Sequence, residues 1–205
     1  MVYPEKIEKR LAWRIKVASI EINVNQLHNR VNFVRGLLVP LRKDGLPVGC
    51  EICRYQHSGC KVIAAHDGVA GTKSFAEMYF KTFTIDILGQ YYEFWKPKDK
   101  EGKLCLNRAY FNMYIVNRRT HGHDKLVSIH CDPYEENNEG SSLYKRGPHL
   151  HVQKAEHPLP KCHFALNFSE LDNILSSIDA MTEALKNAIT IVQDEVLIRY
   201  RNLRS

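Results

Sequence analysis

Apolar residues near the N-terminus recur with the spacing of a long helix. From Trp13 to Leu41 they follow alternating steps of four and three, which is the 3.5-residue period of a helical seam. Gly36 and Pro40 are residues that end helices. The pattern predicts an N-terminal helix over residues 1–36.

A short strand is the alternative within this first segment. Ile20, Ile22 and Val24 alternate with polar residues in a β-branched run, which is typical of a half-buried strand. The seven-residue pattern extends well beyond this alternation and favours the helix.

A second helix is predicted over residues 169–205. Ser169 and Asp172 have the spacing of a helix N-cap and its partner, and arginines gather at the far end. The apolar stripe consists of Leu171, Ile174, Ile178, Met181, Leu185, Ile189, Val192 and Val196. A helix of this length needs a partner, either the N-terminal helix packed antiparallel or a second copy of the chain in a homodimer.

The middle of the chain, residues 37–168, reads as antiparallel strands. Gly45 lies in a turn that predicts a hairpin between Leu37–Leu41 and Leu46–Val48. Because the gaps between strands are too short for helical crossovers, we expect one α+β domain over residues 1–205, a β-meander flanked by terminal helices packed on each other. The other candidate strands are 61–65, 78–88, 90–95, 104–116, 125–131, 147–155 and 161–168.

Composition narrows the class of protein. Apolar residues make up 44% of the 205 residues, which is ordinary for a globular chain, and the net charge of +6 permits a polyanionic partner. The chain contains no run of about 18 apolar residues, which a membrane-spanning helix would need. The charged N-terminus does not resemble a signal peptide. We therefore expect a cytoplasmic protein whose six cysteines are thiols.

Histidines gather in the last two predicted strands. Alternation along residues 147–155 places His149, His151 and Gln153 on one side, and a hairpin that pairs Gln153 with His163 adds a third histidine. We call this side of the sheet the histidine face. The opposite side would be apolar, with Leu150, Val152, Phe164, Leu166 and Phe168.

Neighbouring strands add polar groups to the histidine face. In 104–116 the core-like residues leave Arg108 and Tyr110 on this face, and in 125–131 they leave Ser128 and His130. Solvated sheet faces are usually rich in Lys, Glu and Thr, whereas this face carries groups that bind phosphate, transfer protons or bind metals.

Two chemistries suit the histidine face. Two histidines can act as general base and general acid, since the ordinary pKa of imidazole lies near 6.5, with Arg108 stabilising a charged transition state and Tyr110 beside it. Alternatively, His149, His151 and His163 can bind Zn²⁺ or another divalent metal with a position open to water. The sequence leaves both open.

A cysteine-rich stretch suggests a second, structural metal site. Cys50, Cys53, His57 and Cys60 have spacings that can supply four zinc ligands within a loop at residues 50–60. A loop of unliganded thiols is the alternative.

These patterns predict a hydrolase acting on phosphodiesters, with RNA as the favoured substrate. The rival is a non-catalytic accessory subunit that docks through its terminal helices and carries a structural zinc loop. The helix ends, if adjacent, form a basic tip suited to nucleic acid or an acidic protein surface. Its cations are Lys6, Lys9, Arg10, Arg14, Lys16, Arg199, Arg201 and Arg204.

Overall fold

In the computed structural model of the protein, the described residues form an antiparallel sheet of nine strands. The central strand order is β2-β3-β5-β6-β7-β8-β9, with β1 paired to β6 and β4 paired to β5. The strands are β1 (Glu21–Asn23), β2 (Gly49–Arg54), β3 (Lys61–His66), β4 (Phe80–Lys81), β5 (Ile87–Pro97), β6 (Lys103–Asn117), β7 (Gly122–Cys131), β8 (His149–Val152) and β9 (Cys162–Ala165). The structure describes residues 20–42, 45, 47–55, 59–68, 74–84, 86–98, 102–117, 119, 122–133, 146–152, 162–166 and 171–202.

The N-terminal segment combines the two predictions made for it. Glu21–Asn23 is strand β1 and pairs with Lys103–Cys105 of β6, as the local alternation indicates. Helix α1 begins only at Leu27 and ends at Leu38, followed by a 3₁₀ turn at Val39–Leu41. The prediction of a single helix over residues 1–36 is therefore wrong at Glu21–Asn23, where backbone pairing with β6 outweighs the helical period, and Val24–Gln26 is a 3₁₀ turn that leads into α1. Residues 1–19 lie outside the described part of the chain, and so do most cations of the predicted basic tip.

The C-terminal helix is interrupted rather than continuous. It consists of α2 (Leu171–Ile174), α3 (Ile178–Val192), a π-helical turn (Gln193–Ile198) and α4 (Arg199–Asn202). The break occurs because Ser177 is extended and its Oγ accepts a hydrogen bond from Ala180 N–H at 3.1 Å, which starts a new helix. In the parts of the chain that the structure describes, no helix has the length and apolar character needed to span a membrane.

Helices α1 and α3 both pack on one face of the sheet. The predicted C-terminal stripe is buried there, with Met181, Leu185 and Ile189 in the same apolar cluster as Val34 and Leu38 of α1. The sheet contributes the inward residues of its central strands, such as Trp95, Phe111 and Ile129. The histidine face is the other side of the sheet.

Two predicted β elements differ from the structure. Leu37–Leu41 is helical, so no hairpin forms with residues 46–48. The predicted strand 78–88 is interrupted between β4 and β5, where Thr82 closes a turn. Its hydroxyl accepts from Thr84 N–H at 3.2 Å and lies 3.0 Å from the Ile87 carbonyl oxygen. This local side-chain bonding competes with the strand ladder.

A buried ion pair links the helices to the sheet. The Glu93 side chain of β5 is 0% exposed and accepts hydrogen bonds from Arg30 Nε of α1 at 3.0 Å, from Tyr91 Oη at 2.7 Å and from Trp95 Nε1 at 3.1 Å. Arg30 also donates to Thr182 Oγ1 of α3 at 2.6 Å. The carboxylate thus joins α1 and α3 to the centre of the sheet.

We expect Glu93→Gln to destabilise the fold by about 3–5 kcal/mol, because it leaves the Arg30 charge buried and uncompensated. The free energy of unfolding from urea denaturation measures this. The double change Arg30→Met with Glu93→Leu should cost less than the single change, since it removes both charges together.

The matched control is Glu183→Gln. Glu183 pairs with Lys186 on the outside of α3, where the side chains are 61% and 58% exposed. This change should stay within about 0.5 kcal/mol. Equal losses for Glu93→Gln and Glu183→Gln would contradict the anchoring role of the buried pair.

Candidate functional site

Strand pairing arranges the histidine face in two cross-strand rows. The first runs Tyr92, Tyr110, His130 and His149 across β5, β6, β7 and β8. The second runs Gln90, Asn112, Ser128, His151 and His163 across β5 to β9. The first row is aromatic and the second is polar, and the two rows meet at the histidines of β7 and β8.

Three histidines converge where these rows meet. His130, His149 and His151 each place a ring nitrogen within 4.8 Å of the other two, so the group could hold a metal ion. The Nε2 atoms of His149 and His151 are 3.0 Å apart. Two nitrogens bound to one tetrahedral zinc ion lie roughly 3.4 Å apart at Zn–N distances of 2.0–2.1 Å, so this spacing needs only a small adjustment.

His149 is oriented from behind by the backbone. Its side chain is 0% exposed, and its Nδ1 lies 2.9 Å from the Gly147 carbonyl oxygen. A carbonyl oxygen can only accept, so Nδ1 carries the proton and Nε2 of the neutral ring has the lone pair. Metal-binding histidines are typically held by this kind of outer hydrogen bond.

His130 is also oriented by hydrogen bonding, in its case by a buried relay of side chains. Gln90 Nε2 donates to Ala76 O at 2.8 Å, and Asn112 Nδ2 donates to Gln90 Oε1 at 3.0 Å. Ser128 Oγ donates to Asn112 Oδ1 and lies 2.7 Å from His130 Nε2. The serine hydrogen is already used, so His130 Nε2–H donates to Ser128 and Nδ1 of the neutral ring has the lone pair.

Asp132 and Tyr110 complete the surroundings of the histidines. Asp132 Oδ2 lies 3.9 Å from His149 Nε2, and Asp132 Oδ1 accepts from the Tyr110 hydroxyl at 2.9 Å. The Tyr110 ring stacks on His130, with centroids 3.7 Å apart and planes at 4°. Burial, together with the charge of Asp132, raises the pKa of Tyr110, so its hydroxyl remains a hydrogen-bond donor at neutral pH.

Arg108 lies beside this group. Its guanidinium carbon is 5.2 Å from the centre of the Phe94 ring and 5.8 Å from that of Tyr110. Such cation–π contacts hold the cation over the rings without neutralising its charge.

The structure brings together most of the predicted face, and within the described residues the converging ring nitrogens are those of His130, His149 and His151. Arg108, Tyr110, His149 and His151 lie together as predicted, whereas the third described ring nitrogen comes from His130. The alternation along β7 already indicated that His130 faces this way, but only the pairing of β7 with β8 reveals the contact. Asp132 was missed because it follows the end of β7.

The register of the last hairpin also differs from the prediction. His163 pairs with His151 rather than with residue 153, which is a shift of two positions in the backbone pairing. The side chain of His163 lies outside the described part of the structure. Phe164 was predicted to be in the core but is 56% exposed, because it lies on the edge strand β9.

The first part of the cysteine stretch, up to Arg54, is a strand rather than a loop. Cys50 and Cys53 both lie on β2, where residues three apart point to opposite faces. Cys50 is buried in the main core, whereas Cys53 packs against the smaller cluster that contains Cys60. Burial raises the pKa of Cys50 to about 12 and that of Cys53 to about 11. Because Cys50 and Cys53 point to opposite faces of β2, the described residues do not bring the predicted zinc ligands together, and His57 lies outside the described residues.

Comparisons with known proteins do not narrow the function. No protein-family model, no curated protein sequence and no solved structure matches the chain. The geometry of the histidine face therefore carries the functional argument alone.

We expect Ser128→Ala to weaken zinc binding about 10- to 100-fold, the usual effect of losing an outer partner of a metal-binding histidine. The change removes the acceptor that orients His130. Competition with a chromophoric chelator measures the dissociation constant for Zn²⁺.

Ser176→Ala is the matched control, since Ser176 is an exposed serine beyond the end of α2. Circular dichroism verifies that both variants fold. Wild-type zinc affinity in folded Ser128→Ala would contradict the role assigned to the relay.

Proposed function

We propose that the protein is a hydrolase acting on phosphodiesters, with RNA as substrate, and that the reaction takes place at the histidine face. The observation that carries this proposal is the convergence of ring nitrogens from His130, His149 and His151 within 4.8 Å. Hydrogen bonds to Ser128 and to the Gly147 carbonyl orient the rings of His130 and His149, as outer partners do for metal-binding histidines.

We further propose that these three histidines bind a divalent transition metal. Imidazole nitrogens suit zinc and its neighbours, and three protein ligands leave a position for water. His130, His149 and His151 would hold such an ion, which when bound would supply a water of lowered pKa as nucleophile. Asp132 Oδ2 lies 3.9 Å from His149 Nε2.

Arg108 supplies a positive charge that can bind the negatively charged phosphodiester. Its guanidinium stays cationic at neutral pH and can bind two phosphate oxygens at once. Tyr110 separates it from His130 by one stacked ring, so a phosphate bound at Arg108 lies next to the histidines. The net charge of +6 favours association with a polyanion.

Metal-free catalysis is the alternative chemistry for the same function. One histidine takes the proton of the RNA 2′-hydroxyl, the 2′-oxygen attacks phosphorus, the bond to the 5′-oxygen breaks, and a second histidine protonates the leaving oxygen. His149 and His151 are two such imidazoles, with their Nε2 atoms 3.0 Å apart.

The rival function is docking through the terminal helices. For the C-terminal helix, that hypothesis needs the apolar stripe to be available to a partner. Met181, Leu185 and Ile189 are instead buried against the sheet of the same chain.

The test is cleavage of a fluorescently labelled RNA oligonucleotide. We expect EDTA to abolish cleavage by the wild-type protein, and a divalent metal to restore it. His151→Ala should lower the rate about 100-fold or more, with a melting temperature within a few degrees of wild type, since His151 is only half-buried.

His28→Ala is the matched control because His28 is exposed on α1, on the opposite side of the sheet. Cleavage that survives EDTA but still needs His151 would assign the metal-free chemistry. No cleavage by the wild-type protein with any divalent metal, or equal rates for His151→Ala and His28→Ala, would refute the proposed function.

A further inference from the structure

Aromatic rings form a continuous row from the exposed Tyr55 to the histidines. Tyr55 contacts Phe75 at 6.0 Å between ring centres, Phe75 contacts Tyr92 at 5.2 Å, and Tyr92 contacts Tyr110 at 5.3 Å. The Tyr110 ring then stacks on His130. Tyr55 is 42% exposed, and Phe75 and Tyr92 are half-buried, so the row keeps part of its ring surface at the protein surface.

Arg108 lies alongside this row and is held against its rings. In the described parts of the chain its guanidinium has ring contacts but no hydrogen bond and no ion pair. By contrast, Arg30 is paired with Glu93 and Arg199 with Glu195. A guanidinium held in place by ring contacts presents a planar set of N–H donors, which suits the oxygens of a phosphate group.

We propose that this surface binds single-stranded RNA, with unpaired bases stacked on the aromatic row and a backbone phosphate on Arg108. This inference rests on the proposed function, because it names the substrate class of the same site. In duplex RNA the bases are already stacked inside the helix, and proteins recognise it by shape and backbone contacts. Rings on a sheet face instead favour bases that are splayed out of a single strand.

The order of groups along the row supports an RNA strand that runs from Tyr55 toward the histidines. Bases on Tyr55, Phe75 and Tyr92 place the following phosphate near Arg108. Because Tyr110 lies between Arg108 and His130, the next part of the backbone reaches the histidines. The aromatic row therefore holds the strand, and the histidines act on it.

The experiment measures binding without cleavage. Fluorescence anisotropy in EDTA compares a labelled single-stranded RNA oligonucleotide with the blunt duplex of the same sequence. We expect the wild-type protein to bind the single strand at least about tenfold more tightly, and Tyr55→Leu and Tyr92→Leu each to weaken this binding about tenfold, from the loss of one stacked base.

Phe33→Leu is the control for the aromatic changes, since Phe33 is 44% exposed on α1, on the opposite side of the sheet. Tyr55→Leu keeps the test valid if the half-buried Tyr92 proves necessary for folding. Equal affinity for single strand and duplex, or wild-type affinity in Tyr55→Leu, would overturn the inference.

Arg108→Gln tests the phosphate contact. It should make the plot of log affinity against log salt concentration shallower by about 0.7, the value for one phosphate contact on a single strand. Arg199→Gln, a change in an exposed arginine of α4, should leave the slope unchanged. An unchanged slope in Arg108→Gln would also count against the inference.

Binding and cleavage separate the two proposals. Selective binding of the single strand that depends on Tyr55 and Arg108, with no hydrolysis under any metal condition, would refute the hydrolase and support the binding surface. Hydrolysis of the duplex as fast as the single strand would refute the binding surface and leave the hydrolase standing.

Discussion

The buried carboxylate of Glu93 determines how the helices sit on the sheet. An ionised group at 0% exposure is tolerated only when donors fill its hydrogen-bonding capacity, and here they come from Arg30, Tyr91 and Trp95. Arg30 extends the network to Thr182. Apolar packing alone tolerates sliding of a helix over a sheet, whereas directed hydrogen bonds do not. The ion pair therefore makes one placement of α1 and α3 the satisfied one.

The same strands carry a second polar network on the opposite face. Glu93 points toward the helices, and Gln90 and Tyr92 of the same strand point toward the histidines. Gln90 begins the relay that ends at His130, through side chains of Asn112 and Ser128 that are 3% and 1% exposed. Residues held by packing and outer hydrogen bonds on a rigid sheet make a more precise site than residues on loops. The core network and the site therefore share one backbone frame.

Alternation along individual strands was the most informative signal in the sequence. It placed Arg108, Tyr110, His149 and His151 on a common face, as they are in the structure. Alternation predicts this correctly because side-chain direction in a strand follows from backbone geometry alone. The shift of two residues in the last hairpin leaves this result intact. The alternation could not show that His130 contacts His149, because that contact depends on which strands are neighbours.

Local periodicity in the sequence was sufficient to predict the apolar stripe of the C-terminal helix, the strands in the middle of the chain, and the face of the sheet on which the histidines lie. These features depend on residues two to four positions apart along the chain. Tertiary contacts were needed wherever long-range pairing competes with local preference. They turned Glu21–Asn23 into a strand against β6, placed Cys50 and Cys53 on opposite faces, and brought His130 to His149 and His151. Strand order and register depend on contacts between distant residues, which no local pattern specifies.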